Sequence, residues 1–334
     1  RAVLKPFSLI IDLPKNTTMN RIKTIFLFTA VICLIISCTK SDGFYDQGTA
    51  ELKSGNMTRN GHCYGLDQER YVTMSTMDLK VHYRIIGKGP VDVVFVPGWT
   101  NPLEVYTMQF DFFRDKARCI YIDLPGQGLS DAPEGVDYTM DLMADALYDV
   151  LRKEGVHRFV GVGFSMGPVV LGQFYKKHPD MLTKVVNIDG GFSPWPTEEP
   201  ARQEFINELT GFCQFIETWG EAEKQYFASM LLSDDTPDEL MELVEYFYTY
   251  PSWLMANIYW NSSQEEPNNP PAWSMPALCI FTHQVNVDNV QSRFPGAEIH
   301  IFEGSGHVVQ WERHEQVNPI LWSFISEGWP GKKY

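Results

Sequence analysis

Cysteine is scarce in this chain, six residues among 334, and none is grouped with histidine at a zinc-binding spacing. A structural zinc module is therefore not expected. Basic residues are also few: 27 Lys and Arg face 42 Asp and Glu, a formal charge of −15. So acidic a chain is a poor binder of nucleic acid or any other polyanion. The apolar run Thr24–Ile36 has 13 residues, short of the roughly 20 that a membrane-spanning helix needs. No internal repeat points to a solenoid or propeller. What the chain does have is apolar content, 44% hydrophobic with 21% charged. That is enough for a substantial core and argues against general disorder.

The apolar run has a telling setting. Met19 is followed by Asn20-Arg21-Ile22-Lys23, and the run ends at Ser37-Cys38. A basic start, a short apolar stretch and a small residue make an export signal. Residues 1–18 precede that methionine and read as a misassigned extension; residues 19–37 read as the signal peptide. Ile35-Ile36-Ser37-Cys38 resembles the lipobox of bacterial lipoproteins. The resemblance implies cleavage before Cys38, a lipid on its thiol, and anchoring to a membrane of the bacterial cell envelope. The polar residues 38–60 then form a tether. Cys33 would leave with the signal. Cys119 and Cys279 lie in apolar strand-like runs and are expected as buried thiols. Cys63 and Cys213 are available to pair in an oxidising compartment, which spacing alone does not establish.

From Tyr71 onward, short apolar strands alternate with helical patterns. Tyr71–Ser75 and Lys80–Ile86 read as antiparallel neighbours around Asp78. Val91–Val96, Cys119–Ile122, Phe159–Val162, Lys184–Ile188, Ala277–Phe281 and Glu298–Phe302 read as further strands. Continuous apolar strands suit a parallel sheet covered on both faces. Helical patterns follow at Thr139–Gly155, Gly167–His178 and Val309–Glu327. The expected class is α/β, a mostly parallel, doubly wound sheet. The alternation stops over residues 192–275, where Thr236-Pro237-Asp238-Glu239 marks a helix start. That stretch holds 15 acids against two basic residues, with 16 aromatic residues. It reads as a helical cap inserted after the sixth strand, between core segments 61–191 and 276–334. Part of its aromatic content packs the cap; the rest is available to line a pocket.

One motif carries chemistry. In Gly163-Phe164-Ser165-Met166-Gly167 a serine sits between a strand and a helix, with glycine two residues to either side. A nucleophile held on so tight a turn needs small neighbours, and the following helix N-terminus favours developing negative charge. Here the chain resembles the α/β-hydrolase superfamily. Val93–Trp99 looks like its strand and oxyanion loop, with Pro97-Gly98 where His-Gly is commoner. Asp123–Asp131 looks like its Asp-x-x-Gly-x-Gly-x-Ser loop, and Glu303–Glu312 like the loop bearing its catalytic histidine. The resemblance spans roughly residues 71–327, less the cap, and is more specific for fold than for substrate.

The resemblance implies Ser165 as nucleophile, His307 as base, and the backbone N–H groups of Trp99 and Met166 as oxyanion donors. A lone histidine is usually structural or solvated, but His307 has the right loop and chain order, and imidazole titrates near neutrality. His157, His178 and His314 read as surface or capping residues. The Trp99 indole either walls an acyl pocket or only packs its loop. The acid is where the chain departs from the pattern. The family's usual position, just after the seventh strand, falls near His283–Val285 and holds no carboxylate. Asp288 lies three residues further on, in a segment with little room for the usual helix. Asp189, at the end of the sixth strand, is the alternative, as in some lipases of this fold. Both stay open, since the requirement is only that a carboxylate reach the second imidazole nitrogen.

The expected activity is cleavage of an ester, thioester or amide of a small or medium apolar acyl compound through an acyl-enzyme, with no metal or organic cofactor. Carbon–carbon bond hydrolysis, perhydrolysis and a non-catalytic binding role are the alternatives. Haloalkane dehalogenases and epoxide hydrolases of this fold use an aspartate nucleophile, which Ser165 is not. The acidic cap favours neutral or cationic substrates.

Overall fold

Eight short strands collect into one sheet whose central strands are largely apolar and must be covered on both faces. The computed structural model describes residues 68–234, 236–269 and 272–328. The expected signal peptide, Cys38, the tether and Cys63 lie outside the described residues. The strands are β1 (Gln68–Thr73), β2 (Lys80–Ile86), β3 (Asp92–Val96), β4 (Arg118–Ile122), β5 (Phe159–Phe164), β6 (Leu182–Ile188), β7 (Ala277–Phe281) and β8 (Glu298–Ile301). Their order is β1-β2-β4-β3-β5-β6-β7-β8. β1 and β2 pair antiparallel, as do β2 and β4, and every later pairing is parallel. In β5 and β7 every residue is buried.

Between β3 and β4 lies α1 (Thr107–Phe113); α2 (Met140–Lys153) precedes β5, and α3 (Gly167–Lys177) follows it. Helix α1 has no counterpart in the sequence reading, because its Phe110, Phe112 and Phe113 are weak helix formers recruited by packing. The Thr139 side chain caps α2, accepting from the Leu142 N–H, and Gly155 ends it at φ 65°, as its place in the sequence suggests.

After β6 the chain makes five consecutive helices, α4 (Ala201–Glu217), α5 (Glu221–Ser229), α6 (Asp238–Phe247), α7 (Ser252–Ser262) and α8 (Glu265–Asn268). No strand occurs among the described residues of this insertion. The space between β7 and β8 does hold a helix, α9 (Val287–Arg293), contrary to the expectation of little room. Two turns fit because Asn286 closes its N-terminus by accepting from the Asn289 N–H. The single helix expected over Val309–Glu327 is divided into α10 (Val309–Glu312) and α11 (His314–Ser326), with Arg313 outside helical angles at the break. No described helix is long and apolar enough to cross a membrane.

Cys119 and Cys279 are fully buried, and burial pushes each thiol up to about 12. They are inert packing groups. Cys213 is a buried free thiol.

A buried carboxylate ties the end of β4 to β2 and to two loops. Asp123 follows β4 and is 1% exposed. It accepts hydrogen bonds from the Leu103 N–H (2.7 Å), the Leu129 N–H (2.9 Å) and His82 Nδ1 (2.7 Å). The loop it holds carries Gln127, whose side chain accepts from the Thr100 N–H. Asparagine at 123 keeps the volume but leaves buried donors facing an amide N–H₂. Asp123→Asn is expected to lower the unfolding free energy by about 2–4 kcal/mol, read by urea denaturation; a loss under about 1 kcal/mol would contradict this role.

Candidate active site

The turn between β5 and α3 presents Ser165 at φ 54°, in the left-handed region, which is uncommon for a residue with a side chain. The flanking glycines make it possible. A Cβ at Gly163 would stand 2.5 Å from the Pro168 nitrogen, and one at Gly167 only 2.3 Å from the Val96 carbonyl oxygen. The Ser165 N–H donates to the Ile188 carbonyl at 2.9 Å, so the parallel ladder continues into the turn. Pro168 sits in the first turn of α3, where its missing N–H costs no hydrogen bond.

His307 arrives on the loop after β8. Its Nε2 lies 2.9 Å from Ser165 Oγ and its Nδ1 lies 2.6 Å from Asp189 Oδ2. Asp189 is the first residue past β6 and has φ 47°. Its side chain is 4% exposed. It also accepts from the Thr282 N–H and hydroxyl, both at 3.0 Å. Burial alone would raise this carboxyl's pKa; the hydrogen bond and charge of His307, then the Thr282 donors, outweigh burial and hold it below the usual range. The ionised carboxylate is acceptor-only, so the proton between the two groups sits on His307 Nδ1. Nε2 then keeps its lone pair and accepts the Ser165 hydroxyl. The Phe164 ring packs against the imidazole, centroids 4.8 Å apart. His283 reaches the other Asp189 oxygen at 3.7 Å from the solvent side.

The structure thus brings Ser165, His307 and Asp189 together and leaves Asp288 elsewhere. Asp288 is exposed in the first turn of α9; His307 Nδ1 is bonded to Asp189 instead.

The loop carrying Trp99 lies directly against the serine. A Cβ at Gly98 would be 2.9 Å from the Ser165 Cβ. Thr100, at φ 54°, turns this loop back, and its N–H is held by Gln127. Neither the Trp99 N–H nor the Met166 N–H donates to an acceptor among the described residues. Both are free to meet a ligand oxygen. The Trp99 indole points into the insertion. Its Nε1–H donates to the Met255 carbonyl at 2.9 Å, and the ring meets Phe227, Tyr248 and Tyr259 at centroid distances of 5.7, 6.0 and 5.2 Å. The insertion's aromatic residues therefore pack the loop that carries Trp99. A separate cleft of about 550 Å³, walled by Trp253, Trp260, Glu217 and Asp137, opens on the insertion and includes none of the three site residues.

Sequence reasoning missed two supporting groups. Thr282 lies one residue before His283–Val285, the stretch where the usual acid was sought, and a threonine there carries no signal. Glu312 closes the histidine motif in sequence. It accepts from the Gly306 N–H (2.6 Å) and Ser305 Oγ (3.0 Å) of the histidine loop. It also accepts from the Ser233 N–H (3.1 Å) and Thr236 Oγ1 (2.6 Å) of the insertion. Burial pushes this carboxyl up, but the four donors together hold it below the usual range. The described residues contain no cluster of side chains able to hold a metal ion.

Several hydrolases are similar to this chain. A hydrolase of Paraburkholderia phymatum, named for 2-hydroxy-6-oxononadienedioate and 2-hydroxy-6-oxononatrienedioate, is 26% identical over 75% of this chain and 92% of its own length. Mouse epoxide hydrolase 3 is 24% identical over 81% of this chain and 80% of its own. An esterase from Exiguobacterium antarcticum superposes with a TM-score of 0.68 at 18% identity, over 78% of this chain and all of that one. The model of the alpha/beta hydrolase family matches residues 93–320, and with the serine turn, the histidine loop and the eight-stranded sheet in place, the chain belongs to that family.

Proposed function

We propose that this protein is a serine hydrolase that cleaves an ester, thioester or amide of a small or medium apolar acyl compound. The single observation that carries the reading is His307 bridging Ser165 Oγ and Asp189 Oδ2 at 2.9 and 2.6 Å. Ser165 Oγ attacks the acyl carbon while its proton passes to His307 Nε2. Asp189 accepts from Nδ1 throughout and stabilises the imidazolium. The oxygen of the tetrahedral adduct takes the Trp99 and Met166 N–H groups. His307 returns the proton to the leaving oxygen, sulfur or nitrogen as its bond to carbon breaks, leaving an acyl-enzyme. Water, deprotonated by the same nitrogen, attacks the acyl carbon and releases the acid and free Ser165.

Epoxide opening by displacement at carbon calls for a carboxylate nucleophile, and the elbow here carries a serine. Carbon–carbon hydrolysis is the second reading, favoured by the likeness to the Paraburkholderia enzyme. The dioate in that enzyme's name is anionic, and this insertion is a poor setting for it. Its two basic residues, Arg202 and Lys224, are committed to Glu265 and to the Tyr250 carbonyl.

A fluorophosphonate probe is expected to label the wild type and not Ser165→Ala; failure to label either would favour a non-catalytic binding protein. Asp189→Asn is expected to lower kcat by about 10⁴, whereas Asp288→Asn stays within about twofold, because an exposed residue that makes no bond to the imidazole leaves the barrier unchanged. Near-full activity of Asp189→Asn would refute the assignment. The same residue sets a pH dependence of stability. Its folded pKa is depressed, so its contribution is complete above about pH 5. It is lost as pH falls below the unfolded carboxylate value and through the folded one. Asp189→Asn should flatten the wild-type loss of stability below about pH 4, measured by urea unfolding at each pH.

The acidic insertion is expected to favour neutral or cationic esters over anionic ones of equal acyl length, with the difference narrowing at high salt. Faster turnover of the anionic members of such a panel would sink that preference. Turnover of a vinylogous diketone, with uptake of one water, to one new carboxylic acid and one ketone, without esterase activity, would select the second reading.

We also propose export and anchoring through Cys38, from the lipobox-like sequence. Metabolic labelling with a tritiated fatty acid is expected to mark the protein in a bacterial host and to be lost in Cys38→Ala; equal labelling of both would refute the anchor.

A further inference from the structure

The histidine loop is held by the insertion through two reciprocal contacts. The His307 N–H donates to the Leu231 carbonyl at 2.6 Å, in the segment between α5 and α6. In the other direction, the half-buried Glu312 carboxylate divides its two oxygens. Oε2 accepts from Gly306 and Ser305, the residues just before His307. Oε1 accepts from Ser233 and Thr236, in the same segment as Leu231. Space here is tight: a Cβ at Gly306 would stand 2.5 Å from Glu312 Oε1 and 2.7 Å from the Leu231 oxygen. Thr236 is itself 6% exposed and accepts from the Ser233 N–H at 3.0 Å. A carboxylate saturated by four donors from two elements fixes their separation more firmly than apolar packing would, because charge-assisted bonds are short and directional.

We infer that Glu312 is a positioning residue whose carboxylate makes the insertion part of the machinery that places His307. This rests on the serine hydrolase reading. Glu312 touches neither substrate nor imidazole. It acts by holding the loop backbone, and Leu231 completes the hold at His307 itself. Nε2 must meet a serine oxygen at 2.9 Å while Nδ1 keeps its bond at 2.6 Å. A loop displacement of about 1 Å would spoil both, at a cost on the order of 10²-fold in rate.

Two variants test the inference. Glu312→Gln removes acceptor capacity on one side of the clasp. Thr236→Val removes the shorter of the two insertion-side bonds, leaves that from the Ser233 N–H, and touches neither His307 nor its loop. In both, the His307 amide is expected to exchange with deuterium at least about tenfold faster, the loss of one charge-assisted hydrogen bond. Counted per site titrated with fluorophosphonate, kcat is expected to fall about 10–100-fold, with KM within about threefold, since no substrate contact is removed. A residue that only stabilised the fold would reduce the number of titratable sites and leave kcat per site unchanged. Unchanged exchange of the His307 amide in both variants, or kcat per site within about twofold in both, would overturn the inference. Should Glu312→Gln fail to fold, Thr236→Val decides it. If the wild type takes no probe, the serine hydrolase reading fails by itself, and the exchange rates still report whether the insertion holds the histidine loop.

Discussion

Among the described residues, only Thr100, Ser165 and Asp189 combine a side chain with a left-handed backbone, and all three lie at this site. Each follows the C-terminal end of a parallel strand, β3, β5 or β6. Each such residue costs on the order of 1–3 kcal/mol and persists only where its surroundings over-determine it. Here the N–H of each is tied down. Ser165 donates to Ile188 at 2.9 Å, Asp189 donates to Ile280 at 2.7 Å, and Thr100 donates to the Gln127 side chain. For Ser165 and Asp189 the acceptor is the end of the next strand. The sheet's own hydrogen bonding thus reaches one residue past its edge, and the chain turns there. The sheet is what makes the strained turns affordable, and the turns are what lift polar side chains above it.

The electrostatics follow from that placement. Asp189 is almost wholly removed from water, and a lone carboxylate so buried would protonate. Thr282 and His307 keep it ionised. An ionised Asp189 in turn fixes which imidazole nitrogen carries the proton, and so which one can take a proton from serine. The order of these steps matters. The tautomer results from the buried carboxylate, which results from the strand-end turn, which results from the register of β6 against β7.

The sheet was largely readable because period and apolarity are local properties. All eight strands fall within a few residues of where Val, Ile and Phe cluster between turn signals. Ser165 and His307 were readable because steric and sequence context travel together in the elbow and the histidine loop. What was not readable depends on contacts between distant segments. Helix α1 is built on Phe110, Phe112 and Phe113, whose intrinsic preference is not helical. Nothing in Thr236 or Ser233 announces that Glu312, 76 and 79 residues away, will bond them. The Trp99 indole was readable as an aromatic near the site, but not as a side chain docked on Met255 of the insertion. The export signal and Cys38 remain a matter of sequence pattern.

The placement of the carboxylate that meets His307 has a physical explanation that sequence pattern alone did not supply. In the usual arrangement the carboxylate stands just after β7. Here the residues near that place, His283–Val285, hold no carboxylate, and Thr282, the first residue past β7, points both of its donors at Asp189, which stands after β6. The two strand ends are neighbours, with Ile188 paired to Ile280. A carboxylate on one can therefore replace a carboxylate on the other, provided the second strand end supplies hydrogen bonds rather than a second negative charge. An acid at both ends would place two carboxylates within reach of one imidazole, and one of them would be driven to protonate. A threonine satisfies the condition with a backbone N–H and a hydroxyl. The absence of an acid after β7 is thus the complement of the acid after β6, and the pair of positions functions as one carboxylate site divided between two strands.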